Sequence, residues 1–305
     1  MIVGLSHIGV TVSKLEDSLK YYQKTMGFKM LSDAERKGEW VDKITGIPGF
    51  HTRTVYLAVT PHRHLEVFGF FNPKTIPPEK DRLKVGFLYC VFLGGGQRSF
   101  LPLAGTGQQT KLSKWVERLE EEPYRGSPLA TQLDPDELIL RVIEARGNCE
   151  KGEQGLIQRF LYPCVIIENI EGSLHFFRDT LGLEIESRGN YSLEPNIPEG
   201  NGFPRKVRWA LLKAPYGSCL QLLQPLDVPI QPSGPWQMQR IGFTHMAFGV
   251  KDLDAYYRVL AGKGVNFKSP PVSVTAGPHE GGKAVYLTSP DGITLEFIDS
   301  PLIKE

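Results

Sequence analysis

Two histidines and two glutamates hold matching places in a chain that repeats itself. His7 and His245 each stand in an apolar, strand-like run, eight residues ahead of Leu15 and Leu253, where amphipathic stretches begin. Glu66 and Glu296 each stand in the last strand-like run of their repeats, HLEVF and TLEFI. Imidazole nitrogens and carboxylate oxygens bind divalent metals, and both can carry protons. Taken singly, a strand histidine is more often a packed or hydrogen-bonded residue, and a strand-end glutamate more often solvated. Four at matched positions carry weight that none has alone. No CxxC pair, phosphate loop or dinucleotide-binding spacing competes with them, and the glycine-bearing GPHEGGK at 277–283 fits neither loop pattern.

The repeat is the frame for these residues. HIGVTVSKLEDSLKYYQKTMGF from His7 aligns without a gap with YPCVIIENIEGSLHFFRDTLGL from Tyr162. IGFTHMAFGV from Ile241 aligns with VGFLYCVFLG from Val85. Each copy reads as a strand, a helix and three strands. The helix stripes are Leu15, Leu19 and Tyr22; Leu112, Trp115, Val116 and Leu119; Ile170, Leu174 and Phe177; and Leu253, Tyr256, Tyr257 and Leu260. Ser13 with Glu16 reads as a capping box, and Asn169 as the cap of the third helix. The units run over 1–72, 83–146, 158–226 and 240–305, in halves 1–146 and 158–305. Pro-rich NPKTIPPEK and PLDVPIQPSGP link units within each half, and the polar GNCEKGEQG separates the halves.

Composition bounds the function classes. The 305 residues are 41% hydrophobic and 23% charged, enough for a packed core of about two domains. The net charge of +1, without runs of one sign, argues against nucleic-acid and membrane-surface binding. The 32 glycines and 23 prolines fit a chain with many turns and strands. No apolar run reaches the roughly 20 residues a bilayer span needs, and the N-terminus reads as a strand rather than a signal peptide. Four scattered cysteines fit a reducing, cytoplasmic setting without disulfides.

The fourfold βαβββ repeat, with His in the first strand and Glu in the last, resembles the vicinal oxygen chelate superfamily of glyoxalases, bleomycin-resistance proteins and extradiol dioxygenases. The resemblance covers nearly the whole chain and is strongest in the first and fourth units. It implies an α+β fold in which four modules form two U-shaped, half-barrel mixed sheets with helices outside. It also implies a metal in the cavity shared by two modules. The aligned first-strand positions are His7, Tyr89, Tyr162 and His245, and the last-strand positions are Glu66, Arg141, Gln221 and Glu296. If unit one pairs with four and two with three, one cavity gathers His7, Glu66, His245 and Glu296. The other holds Tyr89, Arg141, Tyr162 and Gln221 and has no metal set. This pairing is favoured, because one whole set is preserved. Strands present alternate side chains to one face, so one donor from each of four strands can meet at a centre. Such a set suits Ni, Zn, Mn, Co or Fe.

The resemblance implies a glyoxalase I or epimerase type of reaction, a lyase or isomerase that binds a small substrate through vicinal oxygens and moves a proton through an enolate. Glu66 or Glu296 would be the catalytic base and acid. Tyr56 and Tyr286, in matched VYL strands, and His64, two residues before Glu66, are candidate substrate-binding residues, although the plainer reading of His64 is a strand-edge residue near a turn. His51 and His279 read as loop residues, and His175 as exposed on a helix. The alternatives are an extradiol Fe(II) dioxygenase, against which Tyr162 stands at a ligand position, and a metal-free small-molecule binding or resistance protein. A small-molecule substrate is the expected partner, with no nucleic acid or membrane, and a monomer or homodimer suffices.

Overall fold

The structure, a computed structural model, describes residues 1–60, 63–78, 84–94, 117–118, 124–144, 157–192 and 206–303. The first unit forms β1 (Ile2–Thr11), α1 (Leu15–Lys20), β2 (Lys29–Lys37), α2 (Glu39–Thr45), β3 (His51–Thr60) and β4 (Arg63–Asn72). The second forms β5 (Gly86–Gly94), β6 (Glu117–Arg118), β7 (Pro128–Leu133) and β8 (Ile139–Glu144). The third forms β9 (Ile157–Ile166), α3 (Ile170–Leu174), β10 (Glu184–Ser192), β11 (Lys206–Ala214) and β12 (Gly217–Pro225). The fourth forms β13 (Gly242–Val250), α4 (Leu253–Gly262), β14 (Asn266–Phe267), β15 (Val272–Ser273), β16 (Lys283–Thr288) and β17 (Thr294–Asp299).

These strands make two mixed sheets in an α+β fold. One runs β14-β16-β17-β13-β1-β4-β3-β2, with β15 beside β16, and so joins the first and fourth units. The other runs β10-β11-β12-β9-β5-β8-β7-β6 and joins the third and second. In each, the first strands of two units pair antiparallel at the centre, β1 with β13 and β5 with β9. Each first strand also pairs parallel with the last strand of its own unit. The large core draws on both sheets, with Ile8, Val10 and Phe248 from one and Phe92, Phe160 and Leu220 from the other.

The helix stripes face this core. Leu19 and Tyr22, Ile170, Leu174 and Phe177, and Leu253 and Leu260 are buried. Tyr256 and Tyr257 are half-buried. The helices α1 and α3 both continue into a π-helical turn, Tyr21–Thr25 and His175–Thr180, and then reach Gly27 and Gly182 at φ of 79° and 81°. Only glycine adopts that left-handed conformation without strain, so the repeat is exact down to its helix stop.

Of the two expected helix caps, one holds and one is corrected. Asn169 does cap α3, accepting from the amides of Glu171 and Gly172. Ser13 does not cap α1: the N-cap is Lys14, without a side-chain bond. The Glu16 carboxylate is held by Arg53 instead, and the Ser13 amide donates to Asp136. Long-range ion pairing and docking thus outcompete the local box. The second helix stripe, from Leu112 to Leu119, falls mostly outside the described residues. Within it Glu117–Arg118 is strand β6, whose backbone pairs with Leu129 and Pro128 at the sheet edge.

One buried polar cluster ties the first unit to the second. Asp134, at the end of β7, accepts the Tyr22 hydroxyl at 2.7 Å and the amides of Asp136 and Leu138 at 2.9 and 2.8 Å. The Tyr21 hydroxyl donates to Gln132 Oε1 at 3.0 Å. Replacing Asp134 by Ala strands one buried and two half-buried donors. The expected loss of stability is about 2–4 kcal/mol, measured by urea unfolding, and a loss under about 0.5 kcal/mol would show that the cluster carries no weight.

Candidate metal centre

The register at the middle of the first sheet builds the site. Across β1 and β13, Gly9 faces His245 and His7 faces Ala247. Across β1 and β4, Gly9 faces Glu66; across β13 and β17, Ala247 faces Glu296. Tyr56 faces Glu66 and Tyr286 faces Glu296 on the next strands. Two rows result, Tyr56–Glu66–Gly9–His245 and His7–Ala247–Glu296–Tyr286, related by a pseudo-twofold axis. Side chains in register across a sheet share a face. All four donors therefore converge, and the small residues Gly9 and Ala247 leave room between them. A Cβ at Gly9 would lie 2.2 Å from His245 Cε1, so no larger residue fits there.

The donor atoms are close enough to share one ion. His7 Nε2 lies 3.3 Å from Glu66 Oε2, 2.9 Å from Glu296 Oε2 and 3.4 Å from His245 Nε2. His245 Nε2 lies 3.5 Å from Glu66 Oε2 and 3.4 Å from Glu296 Oε2. A divalent ion with bonds of about 2.1 Å sets neighbouring ligand atoms about 3.0 Å apart at octahedral angles and about 3.4 Å at tetrahedral ones. The four residues are buried, and among the described residues they are the only such group of His, Cys, Asp and Glu. Glu296 Oε2 makes no hydrogen bond despite its short distance to His7. A buried carboxylate oxygen within ion-pairing distance of two imidazole nitrogens, with no hydrogen bond of its own, is an environment that a cation satisfies.

A second layer aims the imidazoles. Ser6 Oγ lies 3.3 Å from His7 Nδ1, and Thr244 Oγ1 lies 2.9 Å from His245 Nδ1. Each hydroxyl belongs to the residue just before its histidine and leaves Nε2 turned to the centre. Burial alone would lower both histidine pKa values. The two carboxylates outweigh it, raising His7 to about 9 and His245 in the same direction. Both glutamates are held below the usual carboxylate range by the imidazoles, against the effect of burial.

The remaining candidates separate. Tyr56 and Tyr286 line a cavity of about 60 Å³ with Glu66 and Glu296. The Tyr56 ring meets His7 edge-on at 5.6 Å and Tyr286 meets His245 at 5.1 Å. His64 is not among that cavity's lining residues. It is buried in β4, in register with His7, and lines a smaller pocket of about 20 Å³ with Ser6 and His279. It stands near the strand end beside the turn, as expected, but is buried there. His51 opens strand β3 beside Glu35 rather than sitting in a loop. His175 is exposed, as its spacing predicts.

His279 is the clearest miss. It is a turn residue, but the turn folds inward and buries it in the site cavity. Its ring stacks on His7 at 5.6 Å and its Nδ1 lies 2.8 Å from Ser300 Oγ. Burial, and then the nearby His7 charge, push it down to about 3, so it is neutral. Nothing in the spacing of GPHEGGK announces this. By contrast, the Ser–His and Thr–His pairs were readable, since Leu88 and Leu161 stand at those places in the other two units.

The second sheet shows what the same positions become without the donors. The Tyr89 hydroxyl donates to Gln221 Oε1 at 2.9 Å, and the Arg141 guanidinium lies 4.8 Å over the Tyr89 ring. Tyr89, Tyr162, Trp209 and Leu211 fill this face as a hydrophobic cluster.

The model of the Glyoxalase/Bleomycin resistance protein/Dioxygenase superfamily matches residues 4–124 and 159–297, most of the chain. The chain belongs to this superfamily. Solved structures share its fold at low identity. Glyoxalase I from Zea mays gives a TM-score of 0.62 at 15% identity, over 97% of this chain and 92% of that one. A point mutant of the same maize enzyme gives 0.65 at 14%, over 97% and 93%. A putative dioxygenase from Bacillus subtilis subsp. subtilis str. 168 gives 0.63 at 15%, over 98% and 86%. A comparison with curated proteins gives no match. Members of the superfamily use divalent metals.

The raised histidine pKa values set a testable sign. Below about pH 9 the metal-free site holds His7 as imidazolium, and a metal needs it neutral. Loading Zn(II) at pH 7 is expected to release about one proton per ion from His7. Apparent affinity should then fall about tenfold from pH 8 to 7, by proton linkage. Calorimetry in buffers of different ionisation enthalpy measures the release. Release near zero would contradict the ion-paired state of the metal-free site.

Proposed function

We propose that the protein is a divalent-metal-dependent enzyme of the glyoxalase I and epimerase type, a lyase or isomerase for a small substrate bound through vicinal oxygens. One observation carries this reading: two imidazole nitrogens and two carboxylates from the first and fourth units converge within 4.8 Å of one another in a buried pocket. His7, Glu66, His245 and Glu296 would hold the ion; Ni, Zn, Mn, Co and Fe all accept this donor set. Bound there, a divalent ion supplies Lewis-acid polarisation of a substrate oxygen.

The protein's own groups do the rest. Glu66 or Glu296 takes a proton from the carbon beside the carbonyl, giving an enolate, and returns it. Tyr56, Tyr286 and the neutral His279 wall the pocket, and Trp40, Phe68 and Met238 limit water. A complete set of four donors exceeds by one the 2-His-1-carboxylate set of Fe(II) oxygenases, which favours proton transfer over ring cleavage. The packed second sheet supports one such site per chain. We read the chain as two halves, 1–146 and 158–305, whose outer units share the site. No partner copy is needed to supply a ligand. Cys90, Cys164 and Cys219, buried and outside any disulfide, support a cytoplasmic setting.

Deuterium exchange tests this. Small 2-hydroxy and 2-oxo carbonyl compounds are incubated in D₂O with Ni- or Zn-loaded protein and followed by proton NMR. At least one is expected to exchange beside its carbonyl at least about 100-fold faster than with metal-free protein. Glu66→Gln or Glu296→Gln should lower the rate by about 10²–10⁴. No exchange across the panel in fully loaded protein would contradict the reading.

A further inference from the structure

The site cavity holds a buried cation that the metal chemistry leaves unused. Arg36, near the end of β2, is only 6% exposed and lines the cavity with Glu66 and Glu296. Its Nη2 is buried and makes no hydrogen bond. Its one bond is a long one, from Nη1 to the Glu35 carbonyl at 3.5 Å. No carboxylate of the described residues forms a salt bridge with it. A guanidinium stays charged under all ordinary conditions, and an unpaired buried charge is costly unless an anion arrives.

The surroundings fix this group in place. Gly277, at φ +89°, presses its backbone against the guanidinium, and a Cβ there would sit 1.7 Å from Nη2. The glycine that opens GPHEGGK thus clears the space for Arg36, while His279 two residues later closes on His7. One turn thus supplies Pro278 and His279 to the cavity wall and the glycine beside Arg36.

The charges point the same way. Among the cavity's lining residues the acidic and guanidinium side chains are Arg36, Glu66 and Glu296. A divalent ion would cancel the two carboxylates and leave the pocket with the single positive charge of Arg36. We infer that Arg36 is a specificity-determining residue that binds a carboxylate on the substrate, so that the substrate class is a small α-oxygenated carbonyl compound carrying a carboxylate. The inference rests on the metal reading proposed above. The guanidinium fork matches both carboxylate and phosphate geometry. The cavity volume of about 60 Å³ favours the smaller group.

Three hydroxamates test it: acetohydroxamate, malonohydroxamate and phosphonoacetohydroxamate. All present the same vicinal oxygens; the second adds a carboxylate and the third a phosphonate. Binding to Ni- or Zn-loaded protein is measured by calorimetry, with metal content determined by elemental mass spectrometry on the same samples. Malonohydroxamate is expected to bind at least about tenfold more tightly than acetohydroxamate, the scale of a charge-assisted hydrogen bond, and more tightly than the phosphonate. In Arg36→Met the preference should shrink to less than about threefold at unchanged metal content, and Arg36→Lys, which keeps the charge, should retain part of it. Equal binding of the acetyl and malonyl probes by fully loaded wild type, or a preference that survives in Arg36→Met, would overturn the carboxylate site alone. A phosphonate preference lost in Arg36→Met would replace carboxylate by phosphate as the substrate group. Wild type that takes up no metal would overturn the metal reading and this inference with it.

Discussion

The antiparallel pairing of β1 with β13 is the constraint on which the rest depends. It joins residues 238 positions apart, His7 and His245, at the middle of one sheet. A shift of one residue in that register would put the two histidines on opposite faces of the sheet. It would also move Gly9 and Ala247 from beneath the site, and a bulkier floor at Gly9 would collide with the His245 ring. The parallel pairings of β4 and β17 add the glutamates to the same rows. Burying two carboxylates is costly unless cations face them. The imidazoles serve that purpose in the metal-free protein, and a divalent ion would do so more fully.

The two sheets are a comparison within one molecule. Their topology is the same and their central registers correspond, yet only the outer pair of units keeps histidine and glutamate. In the inner pair, tyrosines occupy the histidine positions, and an arginine and a glutamine the glutamate positions. Tyr89 and Gln221 satisfy each other by a direct hydrogen bond, and apolar side chains close the face. The residues around the donors change in step. The hydroxyls before the histidines become leucines, and the small residues two positions after become Val91 and Cys164. The fold therefore accommodates the His/Glu cluster without requiring it, and both sheets still pack on a common core.

The repeat made much of this legible. Strand and helix order followed from apolar spacing, and the matched positions of His7, Glu66, His245 and Glu296 followed from alignment of the units with each other. Which strands are neighbours is a long-range matter, and it became readable only through the retention of one whole donor set. What stayed hidden depends on tertiary contact. Ser13 and Glu16 carry the local signature of a cap but are diverted to Asp136 and Arg53. His279 enters the cavity because the turn around Gly277 folds inward, and Arg36 reaches it from β2 beside that glycine; no periodicity encodes the turn. The second unit's apolar stripe fits a helix by spacing, yet its described portion completes a sheet edge.

The most direct test of the central claim is the metal content of protein purified without chelator or added metal, beside a His7→Ala, His245→Ala double variant. Elemental mass spectrometry should find close to one divalent ion per chain, lost in the variant while its circular dichroism spectrum is retained. Less than about a tenth of an ion per chain, with no uptake from Ni, Zn, Mn, Co or anaerobic Fe(II), would contradict the account and leave a metal-free binding protein in its place.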